Sequence, residues 1–419
     1  MSLKYLIKIL QRYQKISIFK LKKLNIMIPY STQTVDKSDI KAVVKTLKSK
    51  FLTQGPQIEK FEKKISQKVK AKYTSVVNSA TSALHISCMA LGFKKNDILW
   101  TSPNTFSASS NCALHLGGKV DFVDIDYRSG NIDVNLLERK LFNSKKINKL
   151  PKILVPVHFA GNPTEQDKIY QLSKKYKFKI IEDASHAIGA SYKNEKVGSC
   201  KWSDITVFSF HPVKIITTFE GGAATTNDKN IFKKLKLYSN HGITRDNKNF
   251  TFKKKQAWYY EQQLLGLNYR MTDVAATMGI SQIKKLNKFV NARNNLAKIY
   301  NKHLSTNFLA LPPQKKNILS SFHLYVIKIK NKFQGLHEEL FNFLRKKKIN
   351  VNLHYIPVHL HPYYRKLGFK PGNFPASEKH AKTAISLPIY PNLKETDVKK
   401  ISKLVNNFFK KNLKQKKYL

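Results

Sequence analysis

Residues 202–227 read WSDITVFSFHPVKIITTFEGGAATTN. Ile205, Val207 and Phe208 are β-branched or aromatic and predict a buried strand. Gly221-Gly222 then opens a second strand, Ala223 to Thr226. Between them Lys214 sits in an otherwise apolar run, just after His211 and Pro212. A lysine so placed either snorkels to water or is held for chemistry. Desolvation favours the neutral amine, and a neutral amine can condense with a carbonyl. In a chain with 76 Lys and Arg among 419 residues, an exposed loop lysine is the ordinary reading, so other segments must decide.

Ser209 stands five residues before Lys214. A hydroxyl there could hold a phosphate whose attached aldehyde reaches the lysine, the layout of a pyridoxal phosphate (PLP) pocket. Such a pocket also needs an anion cradle, a flat group against the ring and a carboxylate for the pyridine nitrogen. The stretch YTSVVNSATSALHISCMAL, 73–91, ends a strand at Val76 and Val77, turns through Asn78, Ser79, Ala80 and Thr81, and enters a helix. Backbone N–H groups at that helix start, with the Thr81 hydroxyl, make an anion site; an ordinary turn with a capping hydroxyl has the same letters. Ile98–Thr101 reads as a strand, SPNTF as a loop and Ser107–Leu116 as a helix, with Phe106 at the junction, either packed in the core or lying flat on a ring. In KFKIIEDASHAIG, 177–189, a buried strand runs into Glu182 and Asp183, then Ala184, Ser185 and His186. Ligands of open α/β sheets bind at the carboxyl ends of strands. Asp183 there could keep a pyridine nitrogen protonated, or cap a helix.

The alternation of strands and helices from 73 to 226, including strands at Val120–Val123 and Ile153–Val157, argues for an α/β layer with a mostly parallel sheet covered on both faces. His158, after the second of these, reads as structural. Upstream, Asp36–Lys50 is helical, with Ile40, Val43, Val44 and Leu47 on one apolar face; LTQGP is a turn and Gln57–Lys70 another helix. Residues 228–300 read as helical, most strongly 273–286. Phe322–Ile329 alternates like a half-exposed strand, Leu336–Lys348 is a helix, and HYIPVHLHPYYRKLGF, 354–369, is a candidate substrate loop. The length predicts a large domain at 27–280 and a smaller one at 281–419, behind a basic, roughly amphipathic extension at 1–26.

The formal charge of +50 raises nucleic acid as a partner. The lysines are scattered, however, and no nucleic-acid motif is present, so the charge reads as a solvated face that would also attract an anionic nucleotide-sugar. Cys88, Cys112 and Cys200 form no CxxC pair. Neither a disulfide framework nor a metal site is expected, and a reducing cytoplasm fits. No apolar run of about 18 residues predicts a transmembrane helix or stable membrane insertion.

The motifs LTQGP, NSATSAL, PNTF, EDASHAIG, FSFHPVK with EGG, NHG and GLNYRM occur in that order between Met27 and about Leu404. Together they resemble the DegT-type sugar aminotransferases. The resemblance implies the PLP-dependent transferase fold type I (aspartate aminotransferase-like), with a large, mostly parallel α/β domain plus a smaller C-terminal α+β domain. It implies that Lys214 binds the cofactor aldehyde covalently, that Asp183 partners the pyridine nitrogen, and that Phe106 stacks on the ring. Ala80, Thr81 and Ser209 would hold the phosphate, and His186 would lie near the cofactor hydroxyl. Asn268 would reach the phosphate of a neighbouring subunit, giving a homodimer with shared active sites. Some relatives carry His in place of the lysine and act as dehydratases; the lysine here favours transamination. FHPVK followed by ITT, and HYIPVHLHPYYRKLGF, look most like the UDP-4-amino-4,6-dideoxy-N-acetyl-β-L-altrosamine transaminases of pseudaminic acid biosynthesis, which implies L-glutamate and a UDP-linked 4-keto-6-deoxy-N-acetylhexosamine as substrates. Another nucleotide-sugar aminotransferase, such as a perosamine-type 4-aminotransferase, is the alternative. Ile215 stands where that subgroup usually has proline and Phe219 where it usually has glycine, which leaves loop shape and the exact sugar open.

Overall fold

The computed structural model describes residues 27–252 and 256–415; the expected extension at 1–26 lies outside the described residues. Two helices come first, α1 Lys37–Leu47 and α2 Pro56–Val69. Asp36 starts α1 by accepting from the backbone N–H of Ser38 and Asp39, while the Asp39 side chain caps back, a reciprocal box. Pro56 pre-sets the first turn of α2.

The central sheet is built from β1 Tyr73–Val77, β2 Ile98–Thr101, β3 Lys119–Phe122, β4 Ile153–Val155, β5 Lys179–Asp183, β6 Ile205–Ser209 and β7 Gly222–Thr226. Its order is β1-β7-β6-β5-β4-β2-β3. Neighbours from β6 to β3 pair in parallel, and β7 alone runs antiparallel to its two partners, β1 and β6. The linking helices are α3 Ala80–Ala90, α4 Ala108–Leu114, α5 Val134–Lys146, α6 Gln166–Tyr176 and α7 Lys229–Ser239. They pack onto the sheet, α3 on β6 and β7 and α4 on β2 and β3, so β4, β6 and β7 are buried throughout. This accounts for their continuous apolar or small-residue runs.

After α8 Asp273–Lys284 and α9 Leu286–His303 the chain forms a second layer. A three-stranded antiparallel sheet, β8 Leu309–Ala310, β9 Tyr325–Ile329 and β10 Ala384–Leu387, has β9 in the middle. It shares a core with α9, α10 His337–Lys346 and α11 Glu395–Gln415, through Tyr300, Tyr325, Ile327, Leu344, Ile401 and Phe409. The fully buried Arg293 of α9 ties this layer to the segment before β9 by donating to the carbonyls of Phe322, His323 and Ile389.

Two sequence expectations need correction. Residues 228–300 are not helical throughout: between α7 and α8 the chain makes turns and a short ladder, Ile243–Thr244 against Glu261–Gln262. Glycines decide this. A Cβ on Gly242 would lie 1.8 Å from the Leu264 carbonyl oxygen, and one on Gly266 2.1 Å from the Gly242 nitrogen, approaches only glycine permits. Phe322–Ile329 is not half-exposed: all five residues of β9 are buried, because Lys328 reaches the backbone carbonyls of Tyr127 and Arg128. The expected helix α1 forms, and its apolar stripe is exposed at Ile40, Val44 and Leu47 while Asp39 and Thr46 are buried. Gln282 and Lys285 hold the Asp39 carboxylate, and Thr277 meets the Thr46 hydroxyl at 2.8 Å, so polar pairing sets the inward face.

Candidate active site

The carboxyl ends of β1, β5 and β6 converge on a cavity of about 470 Å3. Ala80, Thr81, Phe106, Asp183, His186, Ser209 and Lys214 all line it, so segments far apart in sequence meet here. Asn268 does not line it; its backbone pairs with Asn240.

Lys214 follows a turn closed by its own backbone N–H on the His211 carbonyl, 2.9 Å, and anchored by buried Ile215 and Ile216. Burial pulls its amine down to about 8, against the opposing pull of the Asp183 charge. Asp183 ends β5. Its Oδ2 accepts from the Ser109 hydroxyl at 2.7 Å and its Oδ1 from the Ser185 backbone N–H at 3.0 Å. Both oxygens act as acceptors, which suits a carboxylate aimed at a protonated ring nitrogen.

At the other end, α3 presents its N-terminus. Ser79 caps it by accepting from Ser82 N–H at 3.1 Å. Among the described residues the backbone N–H groups of Ala80 and Thr81 have no protein acceptor, and the Thr81 side chain is exposed. β7 closes tightly behind this turn: a Cβ on Gly222 would lie 2.5 Å from the Ala80 nitrogen. Ser209 adds a hydroxyl from the end of β6.

Phe106 stands at the wall with 63% of its surface exposed, an unusual state for a phenylalanine beside a buried helix start. His186 is buried. Its Nδ1 accepts from the Ala160 backbone N–H at 3.3 Å, its Nε2 lies 3.1 Å from the Tyr355 hydroxyl, and its ring centre is 4.3 Å from that of His323. Burial, then the charge of Lys214, holds His186 far below the ordinary histidine range and likewise lowers His354 to about 3. Burial, followed by His186 and Lys214, does the same to His323. The imidazoles beside the amine are therefore neutral near pH 7.

These groups fit PLP. Free helix-start N–H groups and two hydroxyls suit a phosphate, an exposed flat ring suits a pyridine face, and a carboxylate and a depressed amine flank the space between. A phosphate at a helix N-terminus is favoured by both the free donors and the dipole.

The sequence reading missed Tyr30, Ser109 and His323 as site residues, and placed His354 and Tyr355 only within a broader substrate loop. Tyr30 comes from the N-terminal segment and Ser109 from the polar run after Phe106; neither has a spacing that announces a distant partner. The 354–369 stretch, singled out as a substrate loop, is split. Leu353, His354 and Tyr355 line this cavity, whereas His361, Tyr363 and Tyr364 line a neighbouring one of about 480 Å3 with Ser107 and Asn111. His158, read as structural, is buried outside the cavity lining, with Nδ1 accepting from Thr164 N–H at 3.1 Å.

Residues 33–406 match the model of the DegT/DnrJ/EryC1/StrS aminotransferase family. The chain is 41% identical over 376 residues to the UDP-4-amino-4,6-dideoxy-N-acetyl-beta-L-altrosamine transaminase of Campylobacter jejuni subsp. jejuni serotype O:2, covering 89% of this chain and 95% of that one. It superposes on Helicobacter pylori PseC, described as an aminotransferase involved in the biosynthesis of pseudoaminic acid, with a TM-score of 0.83 at 33% identity, covering 92% of this chain and 100% of that one. It also superposes on the PLP form of Spr1654 from Streptococcus pneumoniae, with a TM-score of 0.81 at 26% identity, covering 91% and 99%.

Proposed function

Because this chain belongs to the DegT/DnrJ/EryC1/StrS aminotransferase family, we propose that it moves an amino group from L-glutamate to C4 of a UDP-linked 4-keto-6-deoxy-N-acetylhexosamine, giving UDP-4-amino-4,6-dideoxy-N-acetyl-β-L-altrosamine. The observation that carries the chemistry is one cavity lined by both an amine held near pKa 8 and the Asp183 carboxylate. The choice of sugar is supported by the 41% identity to the Campylobacter transaminase.

PLP, when bound, supplies an aldehyde that carries the amino group and a ring that draws off electrons. The chain's own residues do the rest. Lys214 Nζ, substantially neutral at mildly alkaline pH, takes up a proton and returns it, as a general base and acid must. Asp183 keeps a proton on the ring nitrogen, and Ser109 and Ser185 fix the carboxylate for that task. The N–H groups of Ala80 and Thr81, with the Thr81 and Ser209 hydroxyls, bind the phosphate. Phe106 covers one ring face and excludes water from it. The imidazoles of His186, His323 and His354, held neutral by burial, lie near the amine without adding positive charge that would depress its protonation further.

The active unit in this reading is a homodimer. The exposed stripe of Ile40, Val44 and Leu47, continued by exposed Phe51 and Leu52, supports it, as do Trp258 and Leu265, 77% and 83% exposed. Exposed apolar side chains that gather into a patch mark association sites. Asn268 then reaches the phosphate of the second subunit. The three buried, unpaired cysteines suit a cytoplasmic setting.

The test incubates purified protein with L-glutamate and the UDP-4-keto sugar and identifies the product by mass and NMR. Formation of 2-oxoglutarate with the 4-amino sugar is expected. Turnover only with a GDP-linked 4-keto sugar would move the assignment to the perosamine type, and no turnover with any keto sugar would end it.

A further inference from the structure

Ile28 ties the start of the described chain to a cluster of cations on the C-terminal layer. Its N–H donates to the Lys348 carbonyl at 2.9 Å, and the Asn350 N–H donates back to the Ile28 carbonyl at 2.8 Å. Arg345, Lys346, Lys347 and Lys348 close the end of α10, and all four are exposed. The rings of Phe343 and Phe408 meet at 5.3 Å, and Lys347 Nζ lies 5.8 Å from the Phe343 ring centre. The C-terminal part of α11 therefore joins the same corner and brings the exposed Lys410 and Lys411. The acids of both helices stand at the opposite ends, Glu338 and Glu339 in the first turn of α10, Glu395 and Asp397 in that of α11. Among the described residues none of these six cations pairs with an acid. A cation or two in a last turn answers the helix dipole; six on one corner exceed that need.

The segment that leads into this corner has a matching character. Residues 1–26 hold seven Lys and Arg and no acid. The family match begins at residue 33, so the shared fold does not account for them. At a helical period Leu3, Leu6, Leu10 and Tyr13 fall on one side, and Lys4, Lys8, Arg12 and Lys15 on the opposite one. A basic face backed by an apolar one is the pattern of segments that lie in a membrane interface. We infer that residues 1–26 and the corner of Arg345–Lys348, Lys410 and Lys411 together bind the surface of an anionic lipid bilayer. The charge suits any array of phosphates, nucleic acid included. The leucines decide between them, because they gain nothing from a sugar-phosphate backbone but bury their CH2 groups at a headgroup–acyl boundary. Attachment is peripheral and reversible: no described helix is long and apolar enough to cross a membrane. This surface is separate from the cavity at Lys214 and does not depend on which sugar that cavity takes.

The test floats the full-length protein with vesicles of phosphatidylcholine alone and of equal parts phosphatidylcholine and phosphatidylglycerol. Binding is expected to the anionic vesicles only, and is expected to fall as added salt shortens the Debye length. Two full-length double variants separate the two contributions. Leu6→Asp with Leu10→Asp removes the apolar face, and Lys346→Glu with Lys347→Glu reverses charge on the corner. Each is expected to weaken vesicle binding at least about tenfold. Lys346→Gln with Lys347→Gln, a milder change at the same exposed positions, should fall between wild type and the charge reversal. Melting temperatures should match wild type in all three, which separates lost binding from lost folding. Equal binding to both vesicle types, no binding to either, or full affinity in the leucine or the charge-reversed variant overturns the inference. A complex with duplex DNA tighter than that with anionic vesicles, and indifferent to the Leu6 and Leu10 substitutions, overturns it in favour of nucleic acid.

Discussion

The Ser109 hydroxyl donates to Asp183 Oδ2 at 2.7 Å across 74 residues of sequence, and Thr105 meets the same serine at 2.7 Å from the preceding turn. This small chain fixes the carboxylate on which the ring-nitrogen contact depends. All three residues are buried, so a lost donor is not replaced freely by water. Ser109→Ala is expected to weaken PLP binding roughly tenfold and to lower stability by about 1–3 kcal/mol, the cost of leaving a buried acceptor short of a donor. Equilibrium PLP binding and denaturant melts of the apo protein measure the two separately. Equal behaviour of variant and wild type in both would remove Ser109 from the site.

Lys214 sets a pH dependence. Its amine is lowered to about 8 by burial, so it is mainly charged below that pH and mainly neutral above it. Only the neutral form adds to an aldehyde. The rate at which apo protein captures PLP covalently is therefore expected to rise through pH 8 and flatten by about pH 9, where an ordinary lysine, pKa about 10.4, would still be mostly charged. Asp183→Asn removes the charge that holds the amine up, so the midpoint should move down. Stopped-flow absorbance over a pH series reads both. A rate still climbing steeply at pH 10 would mean that the amine is not desolvated.

Gly222→Ala tests the phosphate cradle. The added methyl would lie 2.5 Å from Ala80 N and from Ser79 C and O, all backbone atoms that cannot swing aside. Relief requires β7 and the start of α3 to part, which spoils the N–H groups that face the cavity. Overpacking of this kind costs roughly 1–3 kcal/mol. The variant is expected to melt lower and to lose most of its preference for PLP over pyridoxal, which lacks the phosphate. Unchanged selectivity for PLP over pyridoxal would show that the cradle lies elsewhere.

Local signals made the central sheet readable. β5 and β6 are short stretches with β-branched or aromatic residues that end in polar ones, and their length and flanks favour buried strands over helices. The same strand ends carry Asp183 and Ser209, so much of the cavity was visible with them. Contacts that local pattern does not encode were missed. The inward face of α1 is chosen by Asp39 with Gln282 and Lys285, partners far along the chain, and the apolar stripe consequently points outward. β9 looked half-exposed because Lys328 is charged, yet two distant carbonyls make its burial possible. His186 was legible as a site residue, but its engagement by Ala160 and Tyr355 was not, since neither hydrogen bond leaves a mark in spacing.

Phe219 occupies a left-handed backbone conformation, φ +67°, next to Glu220 at the cavity wall. The surrounding loop enforces it: the Phe219 N–H donates to Thr217 Oγ1 at 3.0 Å, Thr217 Oγ1 donates to the Phe210 carbonyl at 3.0 Å, and Thr218 Oγ1 to the Glu220 carbonyl at 2.8 Å. The side chain gives little back in this chain, being 47% exposed. A residue with a Cβ costs roughly 1–2 kcal/mol in this region, and glycine returns part of that through the extra freedom of its unfolded state, about 0.5–1 kcal/mol. Phe219→Gly is therefore expected to stabilise the monomeric fold by about 0.5–1 kcal/mol, and Phe219→Val to destabilise it, because β-branched residues tolerate this conformation least. Denaturant melts at concentrations low enough to keep the chain monomeric read the sign directly. If Phe219→Gly is less stable than wild type under those conditions, the ring is packed against something that more than offsets the strain. Repeating the melt at high protein concentration then separates a contact within the chain from one with a second subunit.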